Sequence, residues 1–110
     1  MQTRIDWESA RQHCGGDEVL LADLIEIFLT ESTRNLDRLQ ELHGRAEDVE
    51  DFRLVAHTIK GACRSLGASA ARDSAWEIER NALSNEVSEE QILELAQELE
   101  AVCDELRRGP

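Results

Sequence analysis

The chain contains a single proline, and it is the last residue, Pro110. Proline interrupts helices and central strands, so a chain without internal proline can form long uninterrupted helices. Leu, Ala, Glu and Arg are abundant, and aromatic residues make up only 4% of the sequence. We therefore predict an all-α fold whose core is aliphatic and rich in alanine.

Apolar residues recur at helical spacing along most of the chain. The predicted helices cover about residues 6–14, 17–42, 49–66, 69–85 and 88–107. Four long amphipathic helices with short connections predict an antiparallel up-down-up-down four-helix bundle, to which the first segment adds a short N-terminal helix. The length of 110 residues predicts one domain over the whole chain.

The charge distribution limits the possible partners. A net charge of −12 argues against binding to free nucleic acid, because such a domain would present a basic surface. Residues 49–72 differ from the rest, since they carry four basic and two acidic residues, a net charge of +2. No segment approaches the roughly 18 apolar residues of a membrane span, and no signal peptide is evident. We expect a cytoplasmic protein without membrane attachment.

The cysteines Cys14, Cys63 and Cys103 are far apart in the sequence, and no Cys-x-x-Cys pair occurs. We predict that all three are small buried apolar residues in a reducing compartment. A metal or thiol site using Cys63 or Cys103 is the alternative, but it lacks the close ligand spacing that such a site favours. We expect no metal site in the chain.

The helix predicted over residues 49–66 has two distinct faces. Its core stripe consists of Phe52, Val55, Ala56, Ile59, Cys63 and Leu66. A second face, turned away from that stripe, consists of Arg53, His57, Lys60, Gly61 and Arg64. Glycine inside a helix costs roughly 0.5–1 kcal/mol relative to alanine. Gly61 therefore suggests that another molecule approaches the backbone one turn from His57.

The stretch His57-Thr58-Ile59-Lys60-Gly61, followed by Gly67-Ala68 at the helix end, resembles the signature of the histidine-containing phosphotransfer (HPt) domain. That family has the pattern His-x-x-Lys-Gly with a later Gly-Ala. Ala56 before the histidine also fits, and Gly15-Gly16-Asp17 and Phe28 are weaker matches. The resemblance implies a four-helix bundle with a phosphorylated histidine exposed in the middle of one helix.

The resemblance also implies roles for the residues of the second face. His57 would be the phosphoryl acceptor, Lys60 would stabilise the phosphoryl charge, and Gly61 would give the partner access. Imidazoles of ordinary pKa, about 6.5, are mostly neutral near pH 7 and have a free lone pair, so no general base is required. Arg53 and Arg64 are either contacts for phosphate or partner, or ordinary solvated charges.

The chain has no glycine-rich phosphate loop and no evident group of acids beside His57. We therefore expect a phosphoryl carrier without kinase activity of its own and without an intrinsic cofactor. The resemblance implies that Mg²⁺ and the acceptor aspartate come from response-regulator receiver domains, and that a hybrid histidine kinase is a further partner. The absence of acids beside His57 also predicts a slowly hydrolysed phosphoryl group, and we expect a monomer.

Two alternatives to a free-standing carrier remain. The first is a non-catalytic helical bundle that only binds a partner, with His57 incidental. The second is the phosphorylated module of a chemotaxis-type kinase. A receiver would dock on the His57 face and on the adjoining part of the long second helix. Leu20, Ile27 and Leu29 of that helix either border this docking surface or complete the core.

Overall fold

The structure is a computed structural model that describes residues 3–110. Within these residues it contains five α-helices, one 3-10 turn and no strand. The helices are α1 (Trp7–His13), α2 (Glu18–Leu42), α3 (Val49–Ser65), α4 (Ser69–Ala82) and α5 (Glu89–Arg108), and the 3-10 turn is Ala46–Asp48. The predicted all-α fold is confirmed.

The four long helices form the predicted antiparallel bundle. Helix α3 packs most extensively against α4 and also contacts α2, while α5 packs against α4 and α2. Helices α2 and α4 therefore flank α3 on opposite sides, and α5 lies diagonally across the bundle from α3. Helix α1 is the predicted short N-terminal helix, and it contacts α2 and α3.

The core is aliphatic and rich in alanine, as predicted. Its fully enclosed members include Leu39, Ala56, Cys63, Leu66, Ala75, Ile78, Leu95 and Val102. The polar faces of the helices point outward, and none of the helices within residues 3–110 is long and apolar enough to cross a membrane.

The cysteines Cys14, Cys63 and Cys103 are all free and buried, which confirms their predicted packing role. Burial, with a further contribution from the charge of Cys103, raises the pKa of the Cys63 thiol to about 12. A thiol of that pKa is protonated at neutral pH and is a poor nucleophile and metal ligand. The geometry thus gives no support to a thiol site at Cys63.

The connection between α3 and α4 is closed at Gly67, as predicted. Gly67 has a φ of +66°, its N–H donates to the carbonyl of Arg64 (3.1 Å), and the N–H of Ala68 donates to that of Cys63 (2.9 Å). This is the Schellman pattern of helix termination. A Cβ at Gly67 would lie 2.8 Å from Cβ of Asp6 and would clash with it. The absence of a side chain at Gly67 therefore also allows the N-terminal segment to pack against this turn.

A buried carboxylate on α5 holds the N-terminal segment against the bundle. Glu105 accepts hydrogen bonds from the backbone N–H of Arg4 (2.6 Å), the hydroxyl of Thr3 (2.9 Å) and the indole of Trp7 (3.0 Å). Burial by itself raises the pKa of Glu105, but these hydrogen bonds outweigh it and hold the pKa below its ordinary value. Glu105 is therefore ionised at neutral pH.

Candidate functional site

His57 lies in the middle of α3, on the side that faces α4. The buried residues Phe52, Ala56, Ile59 and Cys63 fix the inward face of α3. His57 follows Ala56 and is rotated away from this face by the 100° step of the helix. Its side chain is 54% exposed, so the imidazole is accessible while the backbone that carries it is held by the core.

Glu79 is the partner of His57 across the interface between α3 and α4. The residue lies among buried apolar positions of α4, including Ala75, Ile78 and Ala82, and only 8% of it is exposed. Its Oε2 atom is 2.8 Å from Nδ1 of His57. A buried carboxylate without partners would be strongly unfavourable, and the contacts from α3 supply those partners.

Lys60 completes the cluster. Its Nζ atom is 2.8 Å from Oε1 of Glu79 and 4.9 Å from the ring centroid of Trp76 on α4. The contact with Oε1 has hydrogen-bond length but lacks hydrogen-bond alignment, and Oε1 has no aligned donor among residues 3–110. The interaction is therefore mainly an ion pair. The Lys60 side chain is only 17% exposed because it lies between a carboxylate and an aromatic ring.

The electrostatics of the cluster keep Glu79 ionised. Burial by itself raises the pKa of the carboxyl, but the close ion pair with Lys60 and the hydrogen bond from His57 outweigh it, so the pKa lies below its ordinary value. Arg53 adds a more distant positive charge, with Nη1 4.0 Å from Oε2 of Glu79. At neutral pH the histidine therefore faces a carboxylate.

This carboxylate determines which nitrogen of His57 carries the proton. An ionised carboxylate can only accept hydrogen bonds, so Nδ1 must donate at a separation of 2.8 Å. In the neutral imidazole the lone pair then belongs to Nε2. Nε2 has no hydrogen-bond partner within the described part of the chain, so the site presents an exposed imidazole of defined tautomer with its lone pair on Nε2.

Gly61 lies one turn beyond His57 and leaves open space beside it. A Cβ built at Gly61 would meet no atom within 4 Å. The residue also lies inside α3 with ordinary helical backbone. Neither internal packing nor backbone conformation therefore requires glycine here, so the expectation that another molecule approaches at Gly61 stays a prediction.

The two arginines of the predicted site differ in their surroundings. Arg53 pairs with Glu50 at 2.6 Å and lies at the edge of the Glu79 cluster. Arg64 is exposed and forms no ion pair with any residue in 3–110. The structure thus brings His57, Lys60 and Arg53 together around Glu79 and leaves Arg64 apart, and phosphate or partner contacts of either arginine stay predictions.

One expectation from the sequence is wrong: an acid does lie beside His57. Glu79 is 22 positions away in the sequence, and the packing of α3 against α4 places it in contact with the imidazole. The prediction of a slowly hydrolysed phosphoryl group was based on the absence of such an acid and loses that basis.

A single carboxylate is not a metal site, and no three His, Cys, Asp or Glu side chains converge to hold a metal ion within residues 3–110.

Glu79 and Trp76 are the members of the cluster that the sequence reasoning missed. The sequence feature that could have identified Glu79 is its position on the apolar face of α4, four residues after Ala75 and three before Ala82. A charged residue at such a position needs a buried partner of opposite charge. The missing information was which residue of α3 lies opposite, and that depends on the register between the two helices.

A family model and a solved structure resemble the chain. The family model described as Hpt domain matches residues 23–108. The HPT domain from an Hpt sensor hybrid histidine kinase of Shewanella has the same fold, with a TM-score of 0.80, over 96% of this chain and 92% of that chain, at 20% sequence identity. No curated protein sequence matches the chain.

Proposed function

Because the chain belongs to the Hpt domain family, whose members transfer phosphoryl groups through a histidine in phosphorelays, we propose that it carries a phosphoryl group on His57. In this proposal the group passes between His57 and aspartates of receiver domains. The observation that supports it most strongly is the exposed imidazole of His57, in which the hydrogen bond from Nδ1 to Glu79 leaves the lone pair on Nε2.

The transfer step uses groups that the site already positions. Nε2 attacks the phosphorus of an aspartyl phosphate, the new P–N bond forms, and the P–O bond breaks so that aspartate leaves as a carboxylate. The imidazole gains positive charge during attack while Nδ1 keeps its proton. Glu79, 2.8 Å from Nδ1, stabilises that charge without having to move. The reverse sequence returns the phosphoryl group to an aspartate.

Lys60 has two roles in this proposal. It neutralises Glu79, which would otherwise repel an incoming phosphoryl group, and from its position one helical turn beyond His57 it would stabilise the phosphoryl charge once transferred. Two unit charges about 4 Å apart interact by about 4 kcal/mol at the effective dielectric of a protein surface. The present contact of Lys60 with Glu79, at 2.8 Å, supports the first role directly.

The site contains the nucleophile and its supporting charges, which is one half of a phosphotransfer centre. We propose that the receiver supplies the aspartate and a bound Mg²⁺, and that a hybrid histidine kinase carries such a receiver in the same relay. The chain then acts as a carrier and not as a kinase. The net charge of −12 favours a protein partner over nucleic acid, and one copy of the chain suffices for each transfer.

The experiment is transfer from phosphorylated receiver domains to the wild type and to His57→Gln, followed by intact-protein mass. We expect one phosphoryl group on the wild type, labile in acid and stable in alkali, and none on His57→Gln. Circular dichroism should show that the variant is folded. If no receiver of a broad panel transfers to the folded wild type, the carrier function is refuted and the binding-module interpretation is favoured.

A further inference from the structure

Trp76 is a large aromatic residue of α4 whose size the packing of the bundle does not explain. It is 46% exposed and does not belong to the hydrophobic core of residues 3–110. Leu20 and Ile27 of α2 are exposed as well, whereas Leu29 of the same helix packs against the core. Trp76 is distinguished by a charged neighbour, since Nζ of Lys60 lies 4.9 Å from the centroid of its ring.

The register between α3 and α4 accounts for this contact. His57 and Lys60 are three residues apart on α3, and Trp76 and Glu79 are three residues apart on α4, so each pair shares one face of its helix. Nδ1 of His57 lies 2.8 Å from Glu79. Because the two helices are antiparallel, the next turn of α3 then meets the preceding turn of α4, which places Trp76 opposite Lys60.

The environment of Lys60 is unusual for a lysine on the surface of a helix. Such side chains normally extend their charged end into water, yet the side chain of Lys60 is only 17% exposed. Its ammonium group contacts Glu79 at 2.8 Å and lies over the indole of Trp76. The electron-rich face of an indole attracts a cation, and the attraction grows as water is excluded. The ring therefore restricts a side chain that would otherwise have many rotamers.

We propose that Trp76 is a positioning residue for phosphoryl transfer: its ring holds the ammonium group of Lys60 in place before an anionic phosphoryl donor reaches His57. This inference rests on the proposed phosphotransfer function. Trp76 acts through Lys60 and not on the reacting atoms. A charge that is already in position needs no rearrangement at the moment of reaction, whereas a mobile lysine side chain would have to be ordered during transfer.

Phosphoramidate is a suitable probe because it is a small anion that needs no docking surface. In the labelling reaction the lone pair of Nε2 of His57 attacks phosphorus and a new P–N bond forms. The P–N bond of the donor breaks, and its electron pair leaves on ammonia. The initial rate of labelling, followed by intact-protein mass, therefore reports the site itself.

The test compares Trp76→Leu with Trp76→Phe. Leucine keeps an apolar side chain that is compatible with a helix but has no aromatic face, whereas phenylalanine keeps such a face. We expect labelling of Trp76→Leu to be slower than that of the wild type by about threefold or more, and labelling of Trp76→Phe to stay within about twofold. Leu93→Ala is the control for loss of an exposed apolar residue, since Leu93 is 58% exposed on α5, and it should match the wild type.

A double-mutant cycle determines whether the effect passes through Lys60. Lys60→Met removes the charge and keeps a long flexible side chain. When Trp76→Leu is added to Lys60→Met, the labelling rate should change by less than about 1.5-fold, because the interaction that Trp76 supplies is already gone.

Proton NMR of Lys60 gives a readout that does not depend on the reaction. The face of an indole ring shifts nearby protons upfield, so the methylene protons next to Nζ should be shifted upfield in the wild type. The shift should be lost in Trp76→Leu and retained in part in Trp76→Phe.

Two results would overturn the positioning role alone. The first is labelling of Trp76→Leu at the rate of the wild type. The second is an equal slowing by Trp76→Leu in the presence and absence of the Lys60 charge, which would make Trp76 a structural residue. Failure of the proposed function gives a different result: phosphoramidate labels His57 with the expected dependence on Trp76, but no phosphorylated receiver does. A wild type that phosphoramidate does not label at His57 would overturn both proposals.

Discussion

Nδ1 of His57 lies 2.8 Å from Oε2 of Glu79, a carboxylate that is buried on the neighbouring helix. This pairing links the packing of α3 against α4 to the chemistry of the exposed nitrogen. The core positions both helices, Lys60 and His57 keep the carboxylate ionised, and the carboxylate in turn keeps the proton on Nδ1. The reactive tautomer is thus a consequence of the fold.

Glu79→Ala should change the tautomer of His57. Without the acceptor, nothing on α4 holds the proton on Nδ1, so the Nε2–H form should become the major one, as judged by ¹⁵N NMR of the ring nitrogens. Phosphoramidate is a small phosphoryl donor from which the His57 nitrogen displaces ammonia. Labelling by phosphoramidate should slow by about tenfold or more, because the Nε2–H tautomer has no lone pair on Nε2.

Glu79→Gln is the matched control, since its amide oxygen can still accept from Nδ1. It should keep the Nδ1–H tautomer and be labelled faster than Glu79→Ala. Equal labelling of both variants and the wild type would mean that Glu79 only fills space and does not position the imidazole.

Lys60→Ala should destabilise the fold by about 1–2 kcal/mol, because it leaves the buried Oε1 of Glu79 without its ion-pair partner. Arg64→Ala is the control. Arg64 is exposed and has no ion pair in residues 3–110, so its free energy of unfolding should stay within about 0.5 kcal/mol of the wild type. Urea denaturation measures both values, and equal stabilities would contradict the central place of Lys60 in the cluster.

Gly61→Ala should make the protein more stable and a poorer carrier. Alanine is favoured over glycine inside a helix by about 0.5–1 kcal/mol, and the added Cβ meets no atom within 4 Å. The same methyl group would intrude on a docked receiver, so transfer from the receiver should slow while labelling by phosphoramidate is unchanged. A more stable variant with unchanged receiver transfer would show that Gly61 does not provide partner access.

Stability should decrease in acid because of two buried glutamates. The pKa values of Glu79 and Glu105 are lowered from an ordinary value of 4.5. Above this value both are ionised in the folded and the unfolded chain, and their stabilisation is fully present. As the pH falls below 4.5, the unfolded chain binds protons first, and the stabilisation is lost by the time the folded carboxyls are protonated.

Urea denaturation from pH 7 to pH 3 measures this effect. Glu105→Gln should be less stable than the wild type at pH 7 and should lose less stability below pH 4.5, since one of the two titrating groups is gone. Identical pH profiles for the variant and the wild type would exclude a contribution from Glu105.

The sequence predicted the fold and the location of the histidine because both depend on local patterns. Helical spacing of apolar residues determines which face of α3 is buried, and the same spacing places His57 beside that face. The closure of α3 at Gly67 likewise depends on one residue that tolerates a φ of +66°.

The partner of His57 could not be predicted in the same way. Whether Glu79 faces His57 or lies one turn away depends on the register and rotation of α4 against α3, which are set by how Ala75, Ile78 and Ala82 pack. The positive charge predicted around His57 was also incomplete, since it was counted along residues 49–72 only. Glu79 lies outside residues 49–72, but in the folded protein its carboxylate pairs with Lys60 and Arg53, two of the basic residues of that segment.

The most direct test of the account is to locate the phosphoryl group on the protein. The ¹⁵N-labelled wild type is phosphorylated by a receiver domain, and the ³¹P–¹⁵N couplings of the histidine ring are recorded. We predict that phosphorus is bonded to Nε2 of His57 and that Nδ1 still carries its proton, shifted by the hydrogen bond to Glu79. A phosphoryl group on Nδ1 of His57, or on any residue other than His57, would contradict the account.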